Sequence, residues 1–194
     1  GLNKELGIDL PEEASGFVPS IDWKEKVKKE TWYIGDTYHL AIGQGDLLVT
    51  PLQVACYTSV IANGGTLYQP HIVKEILDAD NIIKKEIGSK ILNRNFIDLK
   101  NINIIQRGLR QAVLTGSAKG LGDLPVAVAA KTGTAQWFGA SDPQAWITAY
   151  APYAKPQIVV TVLIEQGGEG STAAMPVARD IISWWAQNRQ GSGN

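Results

Sequence analysis

The sequence predicts an α+β domain: a three-strand antiparallel meander over residues 126–165, packed against helices. Three observations carry this. Residues 126–137, 145–151 and 157–165 are rich in β-branched and small apolar side chains, and only short Gly-, Ser- and Pro-bearing segments join them. Such connections suit antiparallel neighbours and are too short for a crossover. Stretches of helical periodicity lie on either side in the chain. A length of 194 residues with 44% hydrophobic side chains fits one domain with its own core.

Composition narrows the function classes. The 19 acidic and 18 basic residues cancel, so no field favours nucleic acid or an anionic membrane. One cysteine, Cys56, excludes an internal disulfide framework; it sits in a helical pattern and reads as an inert core thiol. The longest apolar runs are too short to span a bilayer, and no signal peptide opens the chain. Gly1 in place of an initiator methionine leads us to expect a processed or trimmed start.

Taken in order, residues 1–35 carry little regular pattern. Residues 7–11 read as a short extended piece, and the mixed-sign run 24–30 as a solvated helix or loop. Residues 38–45 form a small-residue segment ending in Gly43-Gln44-Gly45, which lacks the third glycine and strand–helix setting of a dinucleotide loop. Thr50 as N-cap and Pro51 at the first helical position open a helix that Asn63-Gly64-Gly65 closes. Its expected buried face is Leu52, Ala55, Cys56, Ser59 and Val60. Residues 67–91 read as two short strands or a hairpin turning at 78–81. Asn101 is the expected cap of the next helix, with a stripe of Ile102, Ile105, Leu109, Ala112 and Val113 and a stop at Gly116. The strand 157–165, almost continuously apolar, should be buried on both sides. Ser171 or Thr172 should cap the final helix, with Val177, Ile181, Trp184, Trp185 and Asn188 around one side. As an edge of a three-strand sheet, 157–165 invites pairing with a further strand.

The strand from Val126 changes character at Lys131-Thr132-Gly133-Thr134. A core strand gains nothing from a lysine and two hydroxyls, each of which needs a partner or water. An edge strand bordering a cleft gains a cation, hydroxyls and free N–H groups. Other chemistries are poorly served. His39 and His71 stand alone, without zinc-ligand spacing, and no Gly-x-Ser-x-Gly or Walker loop occurs. Glu12-Glu13 read as solvated. An aspartyl-phosphate ATPase needs an aspartate directly before Lys-Thr-Gly-Thr, and that position is Ala130.

Gly7-Ile8-Asp9-Leu10-Pro11, Trp32-Tyr33-x-Gly35-Asp36-Thr37-Tyr38, Ile42-Gly43-Gln44-Gly45, Val49-Thr50-Pro51-Leu52-Gln53, Ile61-Ala62-Asn63-Gly64-Gly65 and Met175-Pro176-Val177-Ala178-Arg179 appear in this order around the Lys-Thr-Gly element. Together they resemble the later part of the transpeptidase domain of class B penicillin-binding proteins. Trp-Tyr-x-Gly-Asp-Thr points to the cell-elongation (penicillin-binding protein 2) type. The resemblance implies an incomplete penicillin-binding/β-lactamase-like transpeptidase domain over 1–190, with a flexible tail at 191–194. The implied reaction is D,D-transpeptidation of peptidoglycan by serine acyl transfer, with β-lactams as mimics of D-Ala-D-Ala and no cofactor or metal.

By the same resemblance Lys131 supplies positive potential to a substrate carboxylate, and Thr132 and Thr134 offer it hydroxyls. The Thr134 N–H forms half of an oxyanion hole and Gly133 permits close approach; Gln136 is expected to line the cleft further along, and Trp137 either to line it or to serve packing. Lys131 and Thr134 are thus the expected catalytic residues of this chain. Alternate residues of a flat strand face opposite ways, so a twist or bulge near Gly133 is expected to bring them together, whereas a ladder paired on both sides would exclude the site. The implied partners are the peptidoglycan stem peptide, β-lactams and membrane proteins of an elongation complex, without nucleic acid. The implied setting is the periplasmic face of the inner membrane, on a parent anchored by an N-terminal transmembrane helix outside this chain.

One departure matters. The family's Ser-x-x-Lys nucleophile element is absent, and the only Ser-x-Asn, Ser192-Gly193-Asn194, lies on the wrong side of the Lys-Thr-Gly strand. The chain is therefore expected to be a fragment, inactive alone, whose strand 157–165 sits beside a strand from the N-terminus of the whole domain. Two other readings stand: a non-catalytic docking or β-lactam-sensing module, and a remnant that dimerises through 157–165.

Overall fold

The computed structural model describes residues 1–136, 139 and 141–189. Trp137 and the tail at 191–194, both named above, lie outside the described residues.

The central sheet is a meander of β5 (Ala129–Ala135), β6 (Gln144–Ala151) and β7 (Ile158–Ile164), antiparallel and in that order. The fold class is thus α+β, as the sequence implies. The first strand starts later than residue 126, because the Ala127 and Val128 carbonyls are taken by the Tyr153 N–H (2.7 Å) and by Arg110 Nη1 (2.7 Å). These bonds tie the approach to β5 to the β6–β7 turn and to a helix rather than to a ladder.

Two helices sandwich the sheet. On one face α3 (Pro51–Ala62) lies against Thr148 and Tyr150, with Ala62 packed on Ala129 and Tyr150. On the other, Ala174, Ala178 and Ile182 join Ile147, Ala149 and Ala130 in the main core. Ala178 and Ile182 belong to α5 (Met175–Asn188). Small residues in β5 and β6 let both helices come close.

The start of α3 is as expected. Thr50 Oγ1 accepts the Gln53 N–H and Gln53 Oε1 accepts the Thr50 N–H, both at 3.1 Å, with Pro51 in the first turn. Its burial is not as expected: Gln53, Val54, Thr58, Val60 and Ala62 are the buried residues, whereas Leu52, Ala55, Cys56 and Ser59 are half-buried. The helix is covered on several sides, so no single face stands out. Buried Gln53 also donates from Nε2 to the carbonyls of Gly1 (3.3 Å), Lys4 (3.2 Å) and Ser15 (2.7 Å), fastening the irregular N-terminal segment.

The N-terminal segment holds itself by carboxylates that accept backbone N–H groups. Glu13 takes Leu6, Gly7 and Ile8, and Asp9 reaches across to Ile72 (2.7 Å) and Val73 (2.9 Å). A helical turn α1 (Ile21–Trp23) runs into a wider turn, Lys24–Lys28. Lys24 is not solvated as expected for its run: it is 7% exposed, and its ammonium binds both Asp36 oxygens at 2.8 and 2.7 Å. Asp36 stands in the first turn of α2 (Ile34–Ala41), a helix absent from the sequence reading. Its apolar residues Ile34 and Tyr38 point to solvent and none of its residues is buried, so no core-facing stripe announced it.

The 67–91 region pairs as expected, with β2 (Glu75–Leu77) against β3 (Ile83–Glu86), and adds β1 (Thr66–Tyr68) against β4 (Ile91–Arg94). The cap of helix α4 (Leu99–Leu114) is Asp98, three residues before the expected Asn101, and its carboxylate accepts the Lys100 N–H at 2.7 Å. Ile102 and Val113 are its buried residues, while Ile105 of the expected stripe is exposed.

Two expectations near the C-terminus are corrected. β7 is half-buried along most of its length, because it is the sheet's edge and covers only part of each face. α5 is turned by about a residue: Ala178 and Ile182 face the core, and Val177, Ile181 and Trp184 face outward. The turn comes from the stretch Gly170–Ala174, which is wound as a π-helix before α5, so neither Ser171 nor Thr172 caps it.

Candidate functional site

β5 pairs with β6 in unbroken register from Ala129–Tyr150 to Ala135–Gln144. The expected bulge at Gly133 is absent. No strand pairs with the other side of β5 among the described residues, so the condition that would exclude the site is not met. Convergence comes from the edge itself and from side-chain length.

Thr132 and Thr134 direct their backbone groups to that open edge. Lys131 Nζ wraps round to donate to the Thr132 carbonyl at 2.6 Å, and Gln44 Nε2 donates to the Thr134 carbonyl at 3.1 Å. In an antiparallel strand a residue's N–H and C=O point the same way, so the N–H groups of Thr132 and Thr134 also face outward. The edge therefore offers an ammonium and two amide donors, while side-chain donors already occupy both carbonyls. This is a donor-rich edge suited to a carboxylate or a developing oxyanion.

The hydroxyls divide. Thr132 is buried and its Oγ1 lies 2.6 Å from Ser117 Oγ, in the connection after α4. That contact holds β5 to the α4 connection. Thr134 is exposed, and Gln136 follows, exposed, just past the strand. Lys131, Gly133 and Thr134 thus stand together at the open edge, with Thr132 contributing backbone.

Two glycines explain how the strand is held. A Cβ on Gly133 would come within 3.1 Å of Trp146 Cβ. Gly170 lies flat on the Gly133–Trp146 pair: a Cβ there would fall 2.1 Å from the Trp146 carbonyl and 2.4 Å from that of Gly133. The only trace of this role in the sequence is the glycine cluster 167–170. Beneath the site a buried hydroxyl chain crosses the layers: Thr148 Oγ1 donates to Thr58 at 2.9 Å and lies 2.9 Å from Thr161 Oγ1. Thr148 stands opposite Lys131 in register.

Other candidates dissolve on inspection. Burial pushes the Cys56 thiol up from its ordinary value, with the Glu13 carboxylate adding to it, so the thiol stays protonated at neutral pH. His71 Nδ1 lies 2.9 Å from the Val73 carbonyl. Ser20-Ile21-Asp22 has Ser-x-Asp spacing that sequence reading passed over. Ser20 Oγ accepts the Trp23 N–H at 3.2 Å and Asp22 pairs with Lys26, which makes the element a helix cap.

The profile of the transpeptidase family, described as penicillin binding protein transpeptidase domain, matches residues 1–183. The chain is 33% identical over 212 residues to the peptidoglycan D,D-transpeptidase MrdA of Haemophilus influenzae, covering 97% of this chain and 32% of that protein. Among solved structures it resembles the penicillin-binding protein PBP2 of Helicobacter pylori in complex with MreC, with a TM-score of 0.80 and 34% identity over 99% of this chain and 34% of that one. It also resembles Pseudomonas aeruginosa PBP2 in complex with WCK 5153, with a TM-score of 0.82 and 31% identity over 98% of this chain and 42% of that one. The chain spans about a third of the length of the curated relatives it matches.

Proposed function

Because the chain belongs to the penicillin-binding protein transpeptidase domain family, we propose that it is the C-terminal part of the catalytic domain of a peptidoglycan D,D-transpeptidase of the PBP2 type. The observation that carries this reading is the open edge of β5, where Lys131 and the outward N–H of Thr134 sit beside a carbonyl already capped by Lys131 itself. In the reaction a serine hydroxyl adds to the carbonyl of D-Ala-D-Ala in a stem peptide. The tetrahedral oxyanion then collapses with loss of the terminal D-alanine, and an amine of a second stem peptide takes the acyl group. Lys131 would balance the terminal carboxylate of the peptide or of a β-lactam. The Thr134 N–H would hold the oxyanion, its hydroxyl would reach the carboxylate, and Gln136 would flank the bound peptide. These 194 residues contain no Ser-x-x-Lys, and we propose that the nucleophile lies outside them. We place it in a preceding part of the whole protein, as we do the anchor that would hold the domain on the extracytoplasmic side. Membrane proteins of cell elongation are the proposed partners, by analogy with the Helicobacter pylori PBP2–MreC complex.

Labelling with a fluorescent penicillin tests the reading. The protein encoded by the complete gene should be acylated, and a Lys131→Ala variant should lose on the order of 100-fold in acylation rate, the scale of one oxyanion-site group. The 194 residues alone should take no label. Covalent labelling of the isolated chain would overturn the assignment, and so would an unlabelled complete protein, which would favour a non-catalytic module.

A further inference from the structure

We infer that the cleft between α4 and the turn after β6 is a binding site for an anionic saccharide, a sugar ring that carries a phosphate or a carboxylate. The cleft has a volume of about 580 Å³ and is lined by Lys100, Asn103, Gln106 and Arg107 of α4 and by Tyr153. It is separate from the Lys131–Thr134 edge and does not depend on the transpeptidase reading. The Tyr153 N–H binds the Ala127 carbonyl, so the cleft opens beside the approach to β5, and Thr134 lies about 20 Å farther along the strand.

The back wall of the cleft is fixed and its front is unspent. Gln106 Nε2 donates to the carbonyls of Ile61 at 2.7 Å and Ala62 at 3.5 Å, at the end of α3, which leaves its Oε1 to accept. The Tyr153 ring stacks on Tyr150 with centroids 6.3 Å apart. Lys100, Asn103 and Arg107 stand at i, i+3 and i+7, on one face of α4, and all three are exposed. Neither cation forms an ion pair among the described residues. No carboxylate lines the cleft, and Asp98, the acid nearest in sequence, accepts the Lys100 N–H as the cap of α4. Lys155, exposed in the same turn as Tyr153, adds positive charge.

These groups select a ligand class. Arg107 is a planar fork matched to a two-oxygen anion, and Lys100, about 10 Å away along the helix axis, is a second point charge. A bare phosphate or carboxylate fills only a small part of the cleft, so the group that carries the anion must fit as well. The remaining contacts suit hydroxyls on a ring: the Asn103 carboxamide both donates and accepts, Gln106 Oε1 accepts, and Tyr153 brings a hydroxyl and an aromatic wall.

Titration of the complete protein, followed by ligand-observed NMR, tests this with four probes: glucose 6-phosphate, glucuronate, glucose and inorganic phosphate. The first two should bind at least about fivefold more tightly than either of the others, and less tightly as salt rises. Arg107→Gln should weaken both by about tenfold, the scale of one charge-assisted contact, and Lys100→Gln by about threefold. Both variants should keep wild-type acylation by a fluorescent penicillin and a melting temperature within about 2 °C, the scale of a small change in stability. Unchanged affinity in Arg107→Gln overturns the inference. So does glucose, or inorganic phosphate, binding as tightly as glucose 6-phosphate. A complete protein that takes no penicillin label bears on the transpeptidase reading alone.

Discussion

At the residue scale, the instructive side chains are those whose polar atoms are buried. Tyr150 is fully buried, its hydroxyl finds no hydrogen-bond partner among the described residues, and burial, with Tyr153 adding, pushes its pKa up to about 12. A hydroxyl removed from water without a partner costs stability, while its ring stacks on Tyr153 at 6.3 Å and would do so equally as phenylalanine. Tyr150→Phe should therefore raise stability by about 1 kcal/mol, read as a higher urea midpoint with an unchanged slope. An unchanged or lower midpoint would mean that the hydroxyl has a partner after all. Thr148 makes the contrast: it too is buried, but its hydroxyl is engaged with Thr58 and Thr161. None of this was legible in the chain, because a tyrosine in an apolar strand reads the same whether or not its hydroxyl is satisfied.

At the scale of elements, β5 is held at its functional end by a glycine contact. Gly170 presses onto the backbone of β5 and β6 at the pair Gly133–Trp146, nearer than any Cβ tolerates. Gly170→Ala must push the π-turn and the start of α5 away from the sheet, where Ala174 and Ala178 pack. The expected loss is about 2–3 kcal/mol, the range for overpacking against atoms that cannot rotate aside. Chemical denaturation of the variant measures it, and a loss below about 0.5 kcal/mol, the scale of a neutral surface change, would show that the turn moves freely. Helices α3 and β5 to β7 were legible here, because capping residues and a run of small apolar residues act locally. α2 and the orientation of α5 were not. The first carries its apolar side chains outward, and the second is turned by a π-wound stretch whose hydrogen bonds depend on its packing.

For the whole molecule, distant segments are joined by carboxylates that are better stabilised folded than unfolded. The Ile72 and Val73 N–H groups hold Asp9 below its usual range, the Lys24 ammonium does so for Asp36, and the Arg179 guanidinium for Asp123. For Glu13 burial works the other way, but the N–H groups of Leu6, Gly7 and Ile8 prevail and the carboxyl is lowered. A carboxylate whose folded pKa is depressed binds its proton more readily unfolded. Its contribution is complete above the unfolded value, about 4, and is lost as pH falls through the lower folded value. These carboxylates should accordingly make thermal stability fall on acidification below about 4. Asp9→Asn should shrink that fall; an equal fall in the variant would remove Asp9 from the set.

What the sequence determined by itself is the local and periodic part: the antiparallel meander, the Thr50-Pro51 helix start, the hairpin at 75–86, and the Lys131–Thr134 element with the family it implies. Each depends on neighbours within a few positions, where side-chain type and backbone preference agree. What only the tertiary structure decided is how that element becomes an edge with a chemical polarity. Lys131 reaches its own strand's carbonyl, Thr132 turns its hydroxyl to Ser117, Gln44 arrives from 90 residues away, and Gly170 lies on the strand's backbone. All but the first of these contacts join segments whose separation in the chain carries no signal of their meeting. They exist because every polar group at an open strand edge must find a partner, and the fold alone sets which partners are within reach.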